Sequence, residues 1–451
     1  MNITEFLNND YNDAALYMLY RNTPGYVDGL KNGARKAIYT VKKLGLKTPV
    51  KVTAFGGKVT DTAAYLHGDS GIQGATVTMA ANYCGANNLP TLEGVGSFGT
   101  RFSNAASAAR YIFVKPADYF DLLFRKEDDC NLEYQEFEGQ EIEPAFYVPT
   151  LPLLLLNGSE GIGVGFANDF YPRSVENVIK LTKAAIAGKN LKSEWFVPAW
   201  HGFRGSVEKV EDAWIVKGIA ELDGKKLTIT ELPIAWELKP YTKLLDKLKE
   251  EKLIARYNDY SEDDTFKFDI WLTEEELAKG KAQIWKDLGL VKSMTENYTV
   301  FDENNEVKDD YTDVKDIFKD YYKIKIKYMK LRIKSETARL TTEENALKET
   351  YKFIQEVIKG TIVLKNKKKA EAEAELKAKS YTIIDKLLAM PLYSLTIDKA
   401  KEIEKKWKDK IKELEAMKAA TPESLWLKDI EELEAELKKT GVLGNGSKVS
   451  K

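Results

Sequence analysis

A chain of 451 residues is too long for one ordinary hydrophobic core, so its length indicates two or three domains. Hydrophobic residues make up 43% of it, and its longest uncharged apolar run, 148–156, is far shorter than the roughly 20 residues of a membrane-spanning helix. The first residues lack the basic stretch and apolar core of a secretion signal, and Cys84 and Cys130 are the only cysteines. We therefore expect a protein of a reducing cytoplasm without a membrane span.

The charge is unevenly distributed along the chain. A net charge of -2 is unfavourable for DNA binding, because Lys and Arg supply much of the affinity for phosphates. Residues 1–110, however, contain 11 Lys and Arg against 7 Asp and Glu, while acidic residues gather at 127–129, at 262–264 and in the C-terminal third. The N-terminal end thus offers a modestly basic surface for DNA, although on charge alone an ordinary solvated surface explains so small an excess better.

Residues 1–125 read as short helices with glycine-rich connections. Apolar residues recur at helical spacing in one of them: Leu30, Ala34, Ile38 and Val41. Three basic residues are then predicted to lie off this apolar stripe: Lys31, Arg35 and Lys36.

Two further helices are predicted by VTDTAAYL and IQGATVTMAANY, with Asp69 or Ser70 as the N-cap of the second. A helix, a tight turn and a helix allow the second helix to enter the major groove of DNA. Helical hairpins are also common in proteins that never bind DNA, so the pattern alone decides nothing.

The pattern changes to alternation between 126 and 310. Every second residue is apolar in LTITEL (227–232) and in FKFDIWL (266–272), which is the period of a half-buried strand. Between them, TKLLDKLKEEKLI has helical spacing and neither Gly nor Pro, so it is expected to cover one face of a sheet. This region is predicted to be a mixed α/β domain.

Residues 311–440 are predicted to form an antiparallel coiled coil. The stretch 313–358 lacks Gly and Pro and would span roughly 70 Å as one helix, and a second apolar-periodic segment covers 396–417. The insert 359–395 would be a small globular tip, and residues 441–451 a disordered tail. On its own, this region reads as a structural arm without chemistry.

The segment LEGVGSFGTR (92–101) has three glycines in six residues, which predicts a loop whose backbone can approach another molecule closely. Arg110 and Tyr111 follow it. A tyrosine hydroxyl, with a pKa near 10, is a poor nucleophile unless a base or metal assists it and cations stabilise the attacked phosphate. From these residues alone, a packed tyrosine beside a surface arginine is the commoner interpretation.

Five motifs in order change that interpretation: PGYVDGLKNGARK (24–36), YLHGDS (65–70), LEGVGSFGTR (92–101), ARYIF (109–113) and PTLPLLLLNGSEGIGVGFAN (149–168). The chain resembles the cleavage subunit of type IIA DNA topoisomerases, the group that includes the C-terminal half of the eukaryotic enzyme and the gyrase A subunit. It has particular similarity to the medium subunit of tailed-phage topoisomerases. ITELPIAW (229–236) resembles the tower domain of this family, and residues 387–414 resemble its coiled-coil exit gate.

The resemblance implies an α+β multidomain fold, with a winged-helix cleavage domain at 1–125, an α/β tower domain at 126–310 and a coiled coil with a small helical tip at 311–440. It implies that Tyr111 takes the 5′ phosphate of DNA and that Arg110 lies beside the scissile phosphate. Arg35 would assist at the same phosphate, and His67 would contact DNA near the cut.

Four further residues resemble DNA-contacting residues of the family: Lys31, Lys36, Ser70 and Ile162. Ile162 matches an isoleucine inserted between base steps to bend the duplex. Without the motif, core packing would be the preferred interpretation of Ile162, and a core or capping role that of His67.

Two departures from the family pattern limit what carries over. Asn32 stands where the family usually has proline after DGLK, which leaves the local turn in doubt, although both cations at 35 and 36 are kept. Leu66 replaces the more common residue before the histidine, so no role is transferred to it.

The mechanism implied by the resemblance needs components that the sequence lacks. There is no Asp-x-Asp or Glu-Gly-Asp motif for Mg²⁺ and no phosphate-binding loop for ATP, and two histidines, His67 and His201, cannot form a histidine-rich metal site. Both Mg²⁺ and ATP are therefore expected on a separate partner subunit, with this chain forming a homodimer in the cytoplasm of a bacterial or virus-infected bacterial cell. Since no β-rich wrapping domain follows the coiled coil, relaxation and decatenation are expected rather than supercoiling.

Two other functions stay open from the sequence. A tyrosine recombinase or type IB topoisomerase would also use a tyrosine nucleophile, but it would act as a single chain without ATP. A DNA-binding coiled-coil scaffold would bind DNA without needing Tyr111.

Overall fold

The computed structural model describes residues 2–364 and 367–444. The chain forms two compact units: one holds the chain up to Lys325 and again from Leu427, and the other holds Ile326–Trp426. No helix in these ranges combines the length and apolarity needed to cross a membrane. The finer division at 125, 310 and 440 stays a prediction, and most of the tail predicted at 441–451 lies outside the described residues.

The first unit begins with helices that precede a small sheet. The helices are α1 (Ile3–Phe6), a π-helical turn (Leu7–Tyr11), α2 (Asn12–Asn22), α3 (Asn32–Leu44), α4 (Val52–Ala63) and α5 (Asp69–Ala80). The strands β1 (Val50–Lys51), β2 (Leu92–Val95) and β3 (Phe113–Pro116) form an antiparallel sheet in the order β1-β3-β2. Helices α3, α4 and α5 contact one another, and α4 and α5 also contact strands of this sheet.

The turn between α4 and α5 differs from its prediction in one detail. Ala64 ends α4 in the left-handed conformation, and α5 begins after Gly68, which is the N-cap and makes no side-chain capping bond. The predicted N-cap, Asp69 or Ser70, is therefore wrong, because both residues already lie in the first helical turn. The Asp69 charge still favours the helix from that position.

Short elements connect this region to the sheets that follow it. They are α6 (Phe120–Leu123), a 3₁₀ turn (Lys126–Asn131), β4 (Tyr134–Phe137), β5 (Gln140–Pro144), α7 (Leu153–Asn157), β6 (Ser159–Ile162), β7 (Ala167–Phe170), α8 (Val175–Ile186) and a 3₁₀ turn (Ser193–Phe196). Strands β4 and β5 pair with each other, and β6 pairs with β7 as a hairpin.

The alternating segments form the predicted strands. The elements are β8 (Ser206–Val210), β9 (Ala213–Lys217), β10 (Ile219–Asp223), β11 (Lys226–Glu231), α9 (Leu238–Glu250), β12 (Ile254–Asp259), β13 (Phe268–Leu272), α10 (Glu274–Ala278), α11 (Lys281–Asp287) and β14 (Val291–Met294). One antiparallel sheet has the order β10-β11-β13-β12 and another the order β14-β9-β8. Tyr241, Leu245 and Leu248 of α9 pack with Ile229 and Phe268, so this helix covers one sheet face as predicted.

Three short strands precede the long helices: β15 (Asn297–Tyr298), β16 (Val300–Phe301) and β17 (Val307–Lys308). Strand β15 joins β7 and β6 in a sheet of order β15-β7-β6. The remaining helices are α12 (Val314–Ile358), α13 (Lys369–Ala378), α14 (Ile384–Leu388), a 3₁₀ turn (Leu392–Ser394), α15 (Ile397–Ala419) and α16 (Pro422–Lys439).

The second unit contains the antiparallel helix pair that the sequence predicts. Ile354 packs with Ala400 and Ile403, while Trp407 donates a hydrogen bond to Glu344 at 2.6 Å. Residues later in α15 thus meet residues earlier in α12, which requires antiparallel helices. The segment between them shares a small core with the end of α12, at the place of the predicted compact tip. This core consists of Phe353, Ile362, Leu376, Tyr381 and Leu387.

Candidate nucleic-acid interface

Tyr111 lies on a turn directly before β3. Its backbone N–H donates to the Ala108 carbonyl at 2.9 Å, and the next residue, Ile112, is buried and accepts from the Val52 N–H at 3.0 Å. Ile112 faces the interior while Tyr111, the last residue of the turn, is exposed. The Tyr111 side chain is 66% exposed, so its hydroxyl is open to a large ligand.

The glycine-rich segment packs against this turn through a contact between Gly96 and Ile112. Gly96 has a φ of +109°, and a Cβ there would lie 2.8 Å from the Ile112 side chain, so the position requires glycine. The predicted loop is shorter than expected, since Leu92–Val95 forms β2 and pairs with β3. Pairing in the sheet satisfies the backbone groups of these four residues, which a loop would have left to solvent.

Arg110 lies beside Tyr111 on the same turn. Its guanidinium carbon is 4.7 Å from the centre of the Tyr111 ring, a cation–π arrangement, and both side chains are exposed. A phosphate attached to the Tyr111 oxygen would therefore lie close to a permanently charged, bidentate donor.

His67 lies in the turn between α4 and α5 and contacts α2. Its Nε2 is 2.5 Å from the Tyr17 hydroxyl, and its ring meets the edge of Tyr65 at a centroid distance of 5.4 Å. Burial lowers the pKa of His67 below its ordinary value, and the charges of Arg21 and Lys36 lower it further. A neutral imidazole is therefore favoured at neutral pH.

Arg35 and Lys36 are buried, although neither belongs to the predicted apolar stripe. The Arg35 guanidinium binds both Asp28 oxygens, at 2.8 and 3.2 Å, and the Lys36 ammonium binds Glu143 at 2.8 Å and the Ala63 carbonyl at 2.5 Å. Helix α3 is covered on several sides, so its cations enter the interior, where each needs an anionic partner. Direct contact of either cation with DNA would require its ion pair to open.

The Arg35 pair is also bonded to its surroundings. Arg35 donates to the Leu30 carbonyl at 3.2 Å and to the Tyr20 hydroxyl at 3.4 Å. Burial alone would lower the pKa of Arg35, but the charge and hydrogen bonds of Asp28 outweigh it and raise that pKa above its ordinary value. The guanidinium therefore stays charged inside the fold.

Ile162 lies at the end of β6, on the hairpin formed with β7, and it is 78% exposed. Lys31 anchors this hairpin by donating to the Glu160 carbonyl at 2.5 Å. A Cβ at Gly161 would lie 2.1 Å from the Asn22 carbonyl oxygen, so the hairpin packs tightly against the end of α2. Core packing, the alternative interpretation of Ile162, is excluded by its exposure.

Ser70 is exposed in the first turn of α5. Gly74 and Thr78, one and two turns further on, are exposed as well. All three have short or absent side chains, so a DNA groove can approach this helix face without a bulky obstacle.

Comparison with known proteins shows the family to which this chain belongs. The family model for the A subunit of DNA gyrase/topoisomerase IV matches residues 21–431. The chain belongs to the family of DNA gyrase/topoisomerase IV A subunits.

Relatives of this family member include much longer proteins. DNA topoisomerase 2 of Penicillium chrysogenum is 31% identical over 473 residues, covering 95% of this chain and 30% of that protein. DNA topoisomerase 2 of Plasmodium falciparum is 31% identical over 478 residues, covering 95% of this chain and 34% of that protein. The chain thus spans about a third of these curated relatives.

A solved structure matches the fold of this member of the gyrase/topoisomerase IV family. The crystal structure of the Plasmodium falciparum topoisomerase II DNA-binding, cleavage and re-ligation domain has a TM-score of 0.90 and 31% identity. The match covers 98% of this chain and 66% of that one. The predicted α+β fold is therefore confirmed.

Within this family member, the predicted site residues form separate groups. His67 lies with Lys36 and Arg21, Lys31 lies with the hairpin of Ile162, and Arg110 lies with Tyr111. Among residues 2–364 and 367–444, no hydrogen bond, ion pair or ring contact joins Tyr111 to His67 or to Arg35.

The sequence reasoning missed three residues of α2. Tyr17 contacts His67, Tyr20 contacts Arg35, and Arg21 lowers the pKa of His67. Their spacing of three and four residues on one helix was the available signal, since such residues share a face.

Proposed function

We propose that this chain cuts and reseals duplex DNA as the DNA-breaking part of an ATP-dependent type II topoisomerase, with Tyr111 as the nucleophile. The observation that carries the proposal is an exposed tyrosine, next to buried Ile112 and flanked by Arg110, in a chain of this family. An exposed phenol on an anchored turn can reach a phosphodiester with little reorganisation of its backbone.

The cleavage step exchanges one phosphodiester for another. The Tyr111 oxygen attacks phosphorus and loses its proton, while the bond to the 3′ oxygen breaks and that oxygen leaves and gains a proton. The product is a 5′-phosphotyrosine ester, which the 3′ hydroxyl later attacks to restore the strand. Since each bond broken is replaced by an equivalent one, resealing needs no external energy.

Positively charged side chains stabilise the transition state of this step. Negative charge builds up on the phosphate oxygens as the phenol attacks, and Arg110 is placed to neutralise it. We assign His67 to a neighbouring phosphate and Arg35 to an assisting role, which requires its pair with Asp28 to open. The DNA contacts proposed besides these are Lys31, Lys36, Ser70 and Ile162, of which Ile162 would act as a wedge between base steps.

Strand passage requires further components, which we assign to other chains. A homodimer with a two-fold axis would cut both strands, and the helix pair of the second unit would close a second gate. We place ATP and Mg²⁺ on a separate partner subunit. In the part of the chain that the structure describes, no group of three or more His, Cys, Asp or Glu side chains could hold a metal ion. With that partner, relaxation and decatenation are the expected reactions.

Two finer proposals concern origin. We infer a role in the cytoplasm of a bacterial or virus-infected bacterial cell and a specific kinship with tailed-phage medium subunits, on the sequence motifs alone. The relatives described above come from a fungus and an apicomplexan, so both points stay predictions.

A covalent trapping experiment tests the function. The full chain is mixed with its proposed partner subunit, Mg²⁺, ATP and supercoiled plasmid, and detergent is added to trap protein on DNA. We expect protein joined to 5′ ends with the wild type and none with Tyr111→Phe. The matched control is Tyr393→Phe, an exposed tyrosine of the second unit, which should cleave as the wild type does.

Two outcomes would favour the other functions. DNA binding that is unchanged in Tyr111→Phe, with no adduct in the wild type, would indicate a scaffold. An adduct on 3′ ends formed by the chain without partner or ATP would indicate a recombinase-type strand transferase.

A further inference from the structure

The imidazole of His67 is held between two tyrosines. The Tyr17 hydroxyl on α2 lies 2.5 Å from Nε2, with the two ring centroids 5.7 Å apart. The Tyr65 ring meets the imidazole edge-on, at 75° and 5.4 Å. These contacts fix the orientation of the ring and occupy one of its two nitrogens.

Burial and the positive charges around His67 favour the neutral form of its ring. Tyr17 on α2 and Tyr65 after α4 contact the ring, and the charges of Arg21 on α2 and of Lys36 on α3 act on it. Burial, followed by the Arg21 and Lys36 charges, lowers the pKa of His67. A neutral imidazole has only one N–H, so the position of that proton decides what the ring can bind.

A DNA phosphate accepts hydrogen bonds and cannot donate them. A neutral histidine can therefore bind a phosphate only through the nitrogen that carries the proton. A phenol is a good donor and an unprotonated imidazole nitrogen is a good acceptor, so the short contact favours donation by Tyr17 to Nε2. The proton of the ring then lies on Nδ1.

We propose that Tyr17 is a positioning residue, which holds His67 in the Nδ1-protonated form so that this N–H can bind a DNA phosphate. The DNA phosphate in this inference rests on the proposed function. The tautomer of His67 does not depend on that function. Tyr20, one turn along α2, accepts a hydrogen bond from Arg35 at 3.4 Å, so the same helix contacts two of the predicted site residues.

The tautomer can be measured without any partner. The chain contains two histidines, so labelling the full-length protein with ¹⁵N-histidine gives two sets of ring signals, which a His201→Gln variant assigns. We expect a protonated Nδ1 and an unprotonated Nε2 for His67 in the wild type. In Tyr17→Phe, this pattern should relax toward a mixture of the two tautomers.

The pKa of His67 gives a second readout in the same samples. Loss of a hydrogen bond that favours the neutral ring should raise this pKa by about 0.5–1 unit in Tyr17→Phe. The matched control is Tyr11→Phe, a neighbouring exposed tyrosine, which should change neither the pKa nor the tautomer. An unchanged tautomer in Tyr17→Phe, or a pKa of His67 that falls, would overturn the proposal.

DNA cleavage tests the consequence. At a pH well above the pKa of His67, Tyr17→Phe should form about two- to tenfold less adduct than the wild type. The deficit should shrink as the pH falls below that pKa, because a protonated imidazole has an N–H on both nitrogens. A purely structural role would not give this pH profile.

A double-mutant cycle separates positioning from direct contact. In a His67→Ala background, Tyr17→Phe should have no further effect on adduct formation. An equal loss in both backgrounds would mean that Tyr17 acts on DNA or on folding by itself, and would overturn the proposal. If the wild type forms no adduct, the proposed function fails, while the NMR result still decides the tautomer.

Discussion

In the first unit, one region exposes its polar side chains and another buries them. The cleavage turn, residues 108–113, exposes Arg110 and Tyr111 over a buried Ile112. The paired cluster, which we define as Asp28, Arg35, Lys36 and Glu143, buries all of its charges in two ion pairs. The side chains of the turn are therefore open to a ligand, whereas the charges of the cluster are paired inside the fold. Substitutions in the turn should change activity without changing stability, whereas breaking an ion pair of the cluster should lower stability.

The largest effect is expected from Tyr111→Phe in the cleavage turn. The phenyl ring cannot form the ester, so adduct formation should fall on the order of a thousandfold or more. The free energy of unfolding should not change, because the lost hydroxyl belongs to an exposed side chain. Trapping assays and chemical denaturation of the same sample measure both quantities. Residual cleavage close to that of the wild type would contradict this role for the turn.

Asp28→Ala should give the largest effect in the paired cluster. Asp28 is fully buried and accepts hydrogen bonds from Arg35 and from the Leu30 and Tyr147 N–H groups. Its removal leaves a buried guanidinium unpaired, so the free energy of unfolding should fall by about 3–5 kcal/mol.

The control for Asp28→Ala is an ion pair on the surface. Asp121 pairs with Lys47 at 2.5 Å, and both side chains are mostly exposed. Asp121→Ala should therefore cost only about 0–1 kcal/mol by the same denaturation measurement. Equal losses for the two variants would remove the distinction between buried and exposed pairs.

Arg110→Ala should lower adduct formation by roughly ten- to a hundredfold, because one cation near the phosphate is lost. Arg110→Lys should recover part of the activity, since it restores the charge but not the bidentate geometry. Neither variant should change the unfolding midpoint, because Arg110 is exposed. Full activity in Arg110→Ala would show that the stacked guanidinium takes no part in cleavage.

The smallest effect is expected for His67, whose side chain is half-buried and thus intermediate between the exposed turn and the buried cluster. Its pKa in the folded protein is below the ordinary value of 6.5, so the unfolded chain takes up the proton first as the pH falls. The stability from the neutral ring is present above about pH 6.5 and is lost as the pH falls toward the folded pKa. Denaturation at a series of pH values should show a flatter profile for His67→Gln. An unchanged profile would contradict the lowered pKa.

Periodicity predicted the elements whose burial follows a simple repeat. Helix α9 and the strands β11 and β13 were found because one face of each is apolar. The 45-residue helix α12 was found because no Gly or Pro interrupts it. In these elements the local pattern and the tertiary packing agree, so the sequence was sufficient.

Periodicity could not predict the surroundings of residues whose contacts lie far away along the chain. The burial of Arg35 and Lys36 could not be predicted from the pattern of their own helix, because Glu143, which pairs with Lys36, lies 107 residues away along the chain. Tyr17 and His67 are 50 residues apart, so their contact was equally invisible. Tyr111 itself was found through the ordered motifs and not through any pattern in its surroundings.

The most direct test of the central claim is to identify the residue that carries DNA after trapping. The trapped complex is digested with nuclease and protease, and mass spectrometry locates the remaining nucleotide on a peptide. We predict a single modified residue, Tyr111, linked through a 5′ phosphate. A nucleotide on any other of the 23 tyrosines, or a link through a 3′ phosphate, would contradict the account.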